Sequence, residues 1–225
     1  MSERVPDPLT SFISRSLRAE VTEVSEEIIQ DTTDAEIDRV RFTLAGARRS
    51  LVIKRVPPSS SLEVRLLPHL ARKTDRVATV HARGIPPAKT PGWPWLLVED
   101  LIDAPGACDD LGAIVRAKFE IERALAADGP ALAALGVPRV GRLGPLAAWP
   151  EVLVHGALGC AHTARTVRGV VLTEWRHAYL GCALADVVRL ARDAGAPARE
   201  LADRYTEASG RAVTPDALAA AEALL

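Results

Sequence analysis

The chain has 225 residues, 48% of them hydrophobic and 25% charged, which is ordinary for a globular protein with one large domain or two small lobes. Its formal net charge of −1 gives no positive field that would attract nucleic acid or acidic lipid, so we expect neither as a partner. No stretch approaches about eighteen uninterrupted apolar residues, and the charged, proline-containing start does not resemble a signal peptide, so we predict no membrane segment.

The first hundred residues have the pattern of a small sheet lobe. Apolar residues at helical spacing predict an N-terminal helix over 9–20, and a second helix is expected over 61–73, where serine hydroxyls can cap its start. Alternating and β-branched residues predict five strands, over 21–29, 37–46, 48–56, 77–84 and 93–101. Ala45-Gly46-Ala47 is the expected hairpin turn, and 85–92 is a proline-rich loop. The order predicts a five-stranded antiparallel sheet with one helix after its third strand.

The remaining residues are predicted to be mostly helical. Helices are expected over 111–129, 183–195, 198–210 and 214–225, and the stretch 130–150, which glycines and prolines interrupt, is predicted to be irregular. Residues 151–156 and 168–175 look like two short strands that flank a loop and form one small hairpin. We therefore predict an α+β fold with a sheet lobe at 1–101, a hinge near 99–104 and a helical lobe at 102–225.

The three cysteines do not look like the disulfide framework of a secreted domain, because their number is odd and they are far apart. We therefore expect a reduced protein in the cytoplasm. Cys160 and His162, together with His177 and Cys182, suggest a zinc cluster. Cys160 close to His155 and His162 suggests a nucleophile. The plainer interpretation is that these cysteines are small core residues.

Taken together, the sheet with one helix, the segment WLLVEDL and the strand-loop-strand headed by His155-Gly156 resemble the aminoglycoside phosphotransferase and choline kinase family. The resemblance extends from about residue 21 to about residue 194. It implies a two-lobed kinase-like fold, with ATP and Mg²⁺ as the expected cofactors.

The resemblance also implies a nucleotide site. Lys54, in the third strand, would pair with ATP phosphates, and Glu63 in the next helix would hold the lysine in place. The backbone around Glu99, Asp100 and Leu101 would meet the adenine edge. Without the resemblance, Lys54 and Glu63 would be interpreted as a surface ion pair, and the hinge segment as a buried strand that ends in a polar turn.

The catalytic positions depart from the family pattern, which is His-Gly-Asp, four variable residues and Asn, followed by a strand that ends in Asp. Here Ala157 replaces the aspartate that would accept the proton of the substrate hydroxyl, so we predict no catalytic residue in this loop. His162 replaces the asparagine that would bind Mg²⁺, and imidazole is a poor ligand for hard cations. Glu174 replaces the final aspartate and is one methylene longer, so we predict that it can still bind a metal.

Two further residues and one segment complete the predicted site. His155 is expected to brace the loop through hydrogen bonds, and Asp186 to orient backbone near it or else to be an exposed helical residue.

The stretch between the first two strands has no glycine. It carries acidic residues that are predicted to repel a triphosphate, namely Asp31, Asp34, Glu36 and Asp38.

The sequence thus favours a catalytically degenerate, pseudokinase-like protein that acts by binding, as an accessory subunit. Its expected partner is an enzyme of the same bacterial biosynthetic or modification pathway. The alternative is an ATP-dependent phosphotransferase whose partner or substrate supplies the missing base. Repurposed thiol or metal chemistry at Cys160 and His162 is the third hypothesis.

Overall fold

A computed structural model describes residues 8–84, 92–142 and 144–224. These residues form two compact units. The first runs to Val64 and resumes from Thr79 to Ile102, and the second comprises Arg65–Ala78 and the chain from Asp103 onward. Within the described ranges, no helix has the length and apolar character needed to cross a bilayer.

The first unit contains the predicted five-stranded antiparallel sheet, with strand order β1-β2-β3-β5-β4. The strands are β1 (Val21–Asp31), β2 (Glu36–Leu44), β3 (Ala47–Arg55), β4 (Val80–Gly84) and β5 (Trp95–Glu99). Helix α1 (Pro8–Leu17) precedes the sheet, and α2 (Leu62–Leu70) begins in this unit and continues into the second. The strand and helix order predicted from the sequence is confirmed. Most of the predicted loop 85–92 lies outside the described residues.

The hairpin between β2 and β3 turns where the sequence predicted. Leu44 pairs with Ala47, and the two residues between them, Ala45 and Gly46, have φ values of 50° and 79°. Positive φ at both central residues is the conformation that matches the twist of a two-residue hairpin. The turn fixes the register of β2 against β3, and this register decides which side chains share a face of the sheet.

One face of the sheet packs against α1. The core on this face contains Ile13 from the helix together with residues from four strands, namely Val21, Val40, Phe42, Leu51, Ile53, Trp95 and Leu97. Phe12 and Trp95 are in edge-to-face contact, with ring centroids 4.8 Å apart. Trp95 is therefore a packing residue, as aromatic side chains commonly are.

The second unit is mainly helical. Its helices are α3 (Leu111–Ala124), α4 (Gly129–Ala134), α5 (Leu184–Ala194), α6 (Ala198–Ser209) and α7 (Pro215–Glu222). Its strands are β6 (Val152–Val154), β7 (Thr163–Thr166), β8 (Gly169–Leu172) and β9 (Tyr179–Gly181). Asp110 caps α3 by accepting the Ala113 N–H, and Thr214 caps α7, where Pro215 pre-sets the first helical turn. The four longer predicted helices are confirmed.

Two predictions for this unit are wrong. The segments 151–156 and 168–175 do not pair with each other, because β6 pairs with β9 and β8 pairs with β7. The loop headed by His155 therefore lies between two separate antiparallel ladders. The stretch 130–150 is also more ordered than expected, since it contains most of α4 and a 3₁₀ turn at Gly144–Leu146. Pro130 lies in the first turn of α4, where its missing N–H costs no hydrogen bond.

Candidate functional site

Lys54 and Glu63 form a buried ion pair in the first unit. Lys54 Nζ lies 2.6 Å from Glu63 Oε2, and the two residues are 8% and 3% exposed. Glu63 lies in the first turn of α2, where the helix dipole also favours a negative charge. The arrangement is a buried cation held by a carboxylate, not an exposed surface pair. Its role in nucleotide binding stays a prediction.

The acidic residues at the start of β2 lie on the other face of the sheet from Lys54. Lys54 is paired across the ladder with Ile37, whereas Asp38 faces Ile53 and Glu36 faces Arg55. Arg55 contacts Asp38 directly and lies 4.0 Å from Glu36. Alternation therefore directs Glu36 and Asp38 to the opposite face of the sheet from Lys54, where Arg55 offsets part of their charge. Their repulsion of a triphosphate stays a prediction.

The predicted hinge residues have structural partners inside the first unit. The Glu99 carboxylate accepts the Thr79 N–H at 3.1 Å, and the Glu99 N–H donates to the Thr79 carbonyl at 2.9 Å. Asp100 Oδ2 lies 2.8 Å from Arg39 Nε, and its Oδ1 accepts the Ile102 N–H at 3.2 Å. Leu101 follows and is partly buried. The side chains fix the end of β5, and adenine recognition by the backbone stays a prediction.

In the second unit, His155 is fully buried at the end of β6 and braces the loop that follows. Its Nε2 lies 2.6 Å from the Thr173 carbonyl oxygen, and its Nδ1 lies 3.3 Å from the Ala157 N–H. A carbonyl can only accept and an N–H can only donate, so these contacts assign the neutral tautomer that carries its proton on Nε2. Burial lowers the pKa of His155 to about 4, which keeps the ring neutral at pH 7.

Asp186 holds the backbone at the head of the loop. Its Oδ2 accepts the His155 N–H at 2.6 Å, and its Oδ1 accepts the Gly156 N–H at 3.0 Å. The side chain is completely buried, so the structure favours the loop-orienting interpretation over an exposed helical aspartate. Gly156 has φ 80°, and a Cβ atom at this position would lie 2.1 Å from the His177 carbonyl oxygen. Only glycine fits there.

Ala157 and His162 close the loop through backbone contacts. The Ala157 N–H donates to the His155 ring, and the Ala157 carbonyl oxygen contacts His162 Nδ1. The rings of His155 and His162 are stacked with centroids 5.9 Å apart. The sequence positions of a family catalytic loop are thus brought together, with a methyl group at 157 in place of a carboxylate and an imidazole at 162 in place of an amide.

Asp186 belongs to a cluster of buried charged side chains, with Lys118 and Glu122, that was not predicted from the sequence. Lys118 is 1% exposed, its Nζ lies 3.3 Å from Asp186 Oδ2 and 3.0 Å from the Leu153 carbonyl oxygen, and it also contacts Glu122. The Tyr205 hydroxyl donates to Glu122 at 2.7 Å. Burial opposes the charge on Lys118, but the carboxylates of Glu122 and Asp186 raise its pKa above the ordinary value.

The position of Lys118 in the sequence already indicates that it is buried. It lies four residues after Ile114 and three before Ile121, on the apolar face of α3, and both isoleucines are fully buried. A lysine in such a position needs a buried carboxylate partner. Asp186, 68 residues away, could not be assigned to it from spacing alone.

Glu174 has an unusual backbone conformation, with φ 65° and ψ 59°. This left-handed conformation costs a non-glycine residue about 1–2 kcal/mol, and such strain is concentrated at functional sites. Its carboxylate lies 3.7 Å from Arg176 Nε, and the next residue, Trp175, is fully buried with its ring 4.7 Å from that of His155. Trp175 is therefore a packing residue, and metal binding by Glu174 stays a prediction.

The donor set near Glu174 fits a two-metal centre poorly. The described residues contain no group of three or more histidine, cysteine or carboxylate side chains placed to hold a metal. His162 Nδ1, at the position of a family metal ligand, is directed to the Ala157 carbonyl instead. A single Mg²⁺ could use the Glu174 carboxylate, but further oxygens would have to come from a phosphate ligand or water.

Cys160 forms a disulfide with Cys108, and the Cα atoms are 5.3 Å apart. The expectation that the cysteines are not disulfide-bonded is therefore wrong for this pair, because the fold brings together two residues 52 positions apart. A bonded sulfur is neither a nucleophile nor a zinc ligand, which overturns both hypotheses for Cys160 in this state. Cys182 is buried, and burial raises the pKa of its thiol.

No protein-family model matches the sequence, and no curated protein matches it significantly. Solved structures do match, at low sequence identity. A candidate fructosamine-3-kinase from Thermobifida fusca is 17% identical, with a TM-score of 0.59 over 98% of this chain and 89% of that protein. A candidate aminoglycoside phosphotransferase from Ralstonia eutropha is 15% identical, with a TM-score of 0.56 over 92% and 80%.

The amicoumacin kinase hAmiN, solved in complex with AMP-PNP, Ca²⁺ and Ami, is 10% identical, with a TM-score of 0.57 over 94% of this chain and 80% of that protein. At these identities the similarity concerns the fold. The order of strands and helices agrees with it. This chain has the two-lobed kinase-like α+β fold of the aminoglycoside phosphotransferases and fructosamine-3-kinases.

Proposed function

We propose that this protein is a catalytically degenerate, phosphotransferase-like protein that works by binding, as an accessory subunit for an enzyme of a biosynthetic or modification pathway. The observation that carries the proposal is Ala157, whose N–H and carbonyl are both used to close the loop and whose side chain has no basic atom. Loss of a general base commonly lowers a rate by a factor of about 10² to 10⁴.

The proposal includes ATP or a related nucleotide as a ligand. The buried contact between Lys54 and Glu63 supports it, because a lysine held by a carboxylate at the end of a strand suits phosphate recognition. The neighbour hAmiN was solved with AMP-PNP and Ca²⁺, which makes the same ligand class the natural one to test. Mg²⁺, if it accompanies the nucleotide, would use Glu174.

Isothermal titration with AMP-PNP and MgCl₂ tests nucleotide binding. We expect saturable binding that Lys54→Met abolishes, while Lys73→Met serves as the matched control because Lys73 pairs with Asp128 in the second unit. An ADP-release assay in the presence of ATP and candidate hydroxyl acceptors should show no turnover. Efficient turnover that depends on Lys54 would contradict the binding-only proposal.

The proposed setting is the cytoplasm of a bacterium, with a protein partner from the same pathway. The Cys108–Cys160 disulfide bears on this point, because such bonds are rare in the reducing cytosol. Thiol alkylation of intact cells before lysis distinguishes a reduced from an oxidised chain in its own compartment. Co-purification with an enzyme encoded beside it, and loss of that enzyme's activity on deletion of this chain, would support the accessory role.

A second candidate function is phosphotransfer with His162 as the base. The observation that favours it is the contact of His162 Nδ1 with the Ala157 carbonyl oxygen, which can only accept a hydrogen bond, so Nδ1 carries the hydrogen. The neutral ring then has its lone pair on Nε2, the tautomer that a general base requires. A measurable ATP-dependent transfer that His162→Ala removes, but that Cys182→Ala leaves intact, would establish this function in place of the first.

A further inference from the structure

The second unit contains a cavity of about 320 Å³ that the proposed function does not use. Residues 150–153 line it, at the N-terminal end of β6, whereas the loop headed by His155 follows the other end of this strand. Its wall is largely apolar and includes Phe119, Leu125, Leu132, Leu153 and Leu180. A cavity of this size is at the lower end of the range for small-molecule sites.

The acidic groups that line the cavity have basic partners. Glu122 contacts the buried Lys118 and accepts the Tyr205 hydroxyl, and Glu151 Oε2 lies 3.0 Å from Arg139 Nε. Their charges are therefore largely offset within the protein. The Tyr205 hydroxyl also has its acceptor, so these polar groups of the lining have partners within the protein.

The basic groups that line the cavity are Arg123, at the end of α3, and Arg211, just after α6. Both residues are exposed, so they lie at the rim. Within the described ranges neither guanidinium has a carboxylate at ion-pair distance, and Arg211 instead lies 5.5 Å from the ring centroid of Trp149. The site therefore combines an apolar interior with two positive charges at its entrance.

We propose that this cavity binds a small amphiphilic anion: an apolar body, aromatic or aliphatic, with one carboxylate or sulfonate group. The apolar wall would bury the body, and the guanidinium groups of Arg123 and Arg211 would bind the acid through charge-assisted hydrogen bonds. The inference does not depend on nucleotide binding or on the state of the His155 loop, since none of their residues lines the cavity.

Fluorescence titration with 1-anilinonaphthalene-8-sulfonate tests the proposal on the folded, full-length chain. We expect one saturable site per chain and weaker binding of the neutral analogue N-phenyl-1-naphthylamine. The double variant Arg123→Gln/Arg211→Gln should raise the dissociation constant about tenfold or more, as expected for the loss of two charge-assisted contacts. Arg116→Gln, an exposed arginine on the same helix, is the matched control and should leave it unchanged.

A cavity-filling variant gives an independent readout. Ala126 lines the cavity and is exposed, so Ala126→Trp should block the entrance and abolish probe binding without disturbing the core. Ala127→Trp changes the adjacent exposed residue, which does not line the cavity, and should bind the probe normally. Absence of saturable binding, equal affinity for the neutral analogue, or binding that survives Ala126→Trp would overturn the proposal.

Discussion

Asp186 accepts the backbone N–H of His155 at 2.6 Å, so one carboxylate positions the head of the loop. Lys118 lies 3.3 Å from the same oxygen and is buried with it. We predict that Asp186→Asn lowers the free energy of unfolding by about 1.5–3 kcal/mol, because it removes one of the two carboxylates beside the buried Lys118 and the charged acceptor of the His155 N–H. Urea unfolding followed by circular dichroism measures the change.

The control for this variant is Asp203→Asn. Asp203 pairs with Arg199 on α6 at 2.8 Å, but both side chains are about half exposed. Such a pair contributes about 0.5 kcal/mol or less. Equal losses for the two variants would show that Asp186 is not coupled to a buried charge.

Gly156→Ala is predicted to destabilise the protein more than Gly195→Ala. Both glycines have positive φ, 80° and 64°, so each substitution has a conformational cost of about 1–2 kcal/mol. Only at Gly156 would the new methyl group collide with backbone, at 2.1 Å from the His177 carbonyl oxygen, whereas nothing lies within 4 Å at Gly195. We expect a difference of about 2 kcal/mol or more in thermal or urea unfolding. No difference would mean that the loop has room to shift.

The stability of the protein is predicted to fall between pH 6.5 and pH 4 because of His155. Burial lowers the pKa of this imidazole from 6.5 to about 4, so the unfolded chain binds its proton first as the pH falls. The contribution of the neutral His155 ring to the free energy of unfolding is about 3 kcal/mol. It is fully present above pH 6.5 and is lost as the pH falls to about 4. NMR titration of the ring measures the pKa directly, and His155→Gln should flatten the pH dependence of unfolding. A ring that titrates near 6.5 would contradict the prediction.

We predict that the denatured chain has one titratable thiol, that of Cys182, when no reductant is present. After reduction it should have three. Reduction, or Cys108→Ser, should lower the free energy of unfolding by about 2–4 kcal/mol, the usual contribution of a disulfide that closes a loop of this length. Cys182→Ala should leave the effect of reductant unchanged. Three free thiols in the untreated protein would show that the bond does not form.

Ala157→Asp is predicted to restore part of the missing chemistry. A carboxylate at this position should raise the rate of ATP turnover about 10²-fold or more over the background rate measured for the unmodified chain. Adding Lys54→Met should remove the gain, because the phosphates lose their cation. An unchanged rate in a folded Ala157→Asp variant that still binds AMP-PNP would mean that more than the base has been lost.

Much of the fold could be predicted because its signals are local. The alternation in β2 and β3, the turn at Ala45-Gly46 and the capped starts of the helices all depend on residues close in sequence. The Lys54–Glu63 contact was also anticipated, but from the resemblance rather than from spacing. The local pattern alone would equally describe an exposed pair.

The errors concern partners that are distant in sequence. Short strands such as β6 carry too few residues to specify their partner, so β9 was missed. The Cys108–Cys160 bond needed the fold to bring its cysteines together. The contact of Asp38 with Arg55 was also not predicted, because it depends on the register of β2 against β3.

The bond between Cys108 and Cys160 closes a covalent ring through α3, α4 and β6. A protease that cuts once inside this ring cannot release either piece, since the two ends remain joined through sulfur. Oxidised, nicked protein would migrate as one species on a gel and separate into two bands only when a thiol reductant is added. The disulfide thus keeps the helical unit covalently connected after a single backbone cut between residues 108 and 160. It gives no such protection to the sheet unit, because both cysteines lie in the helical unit.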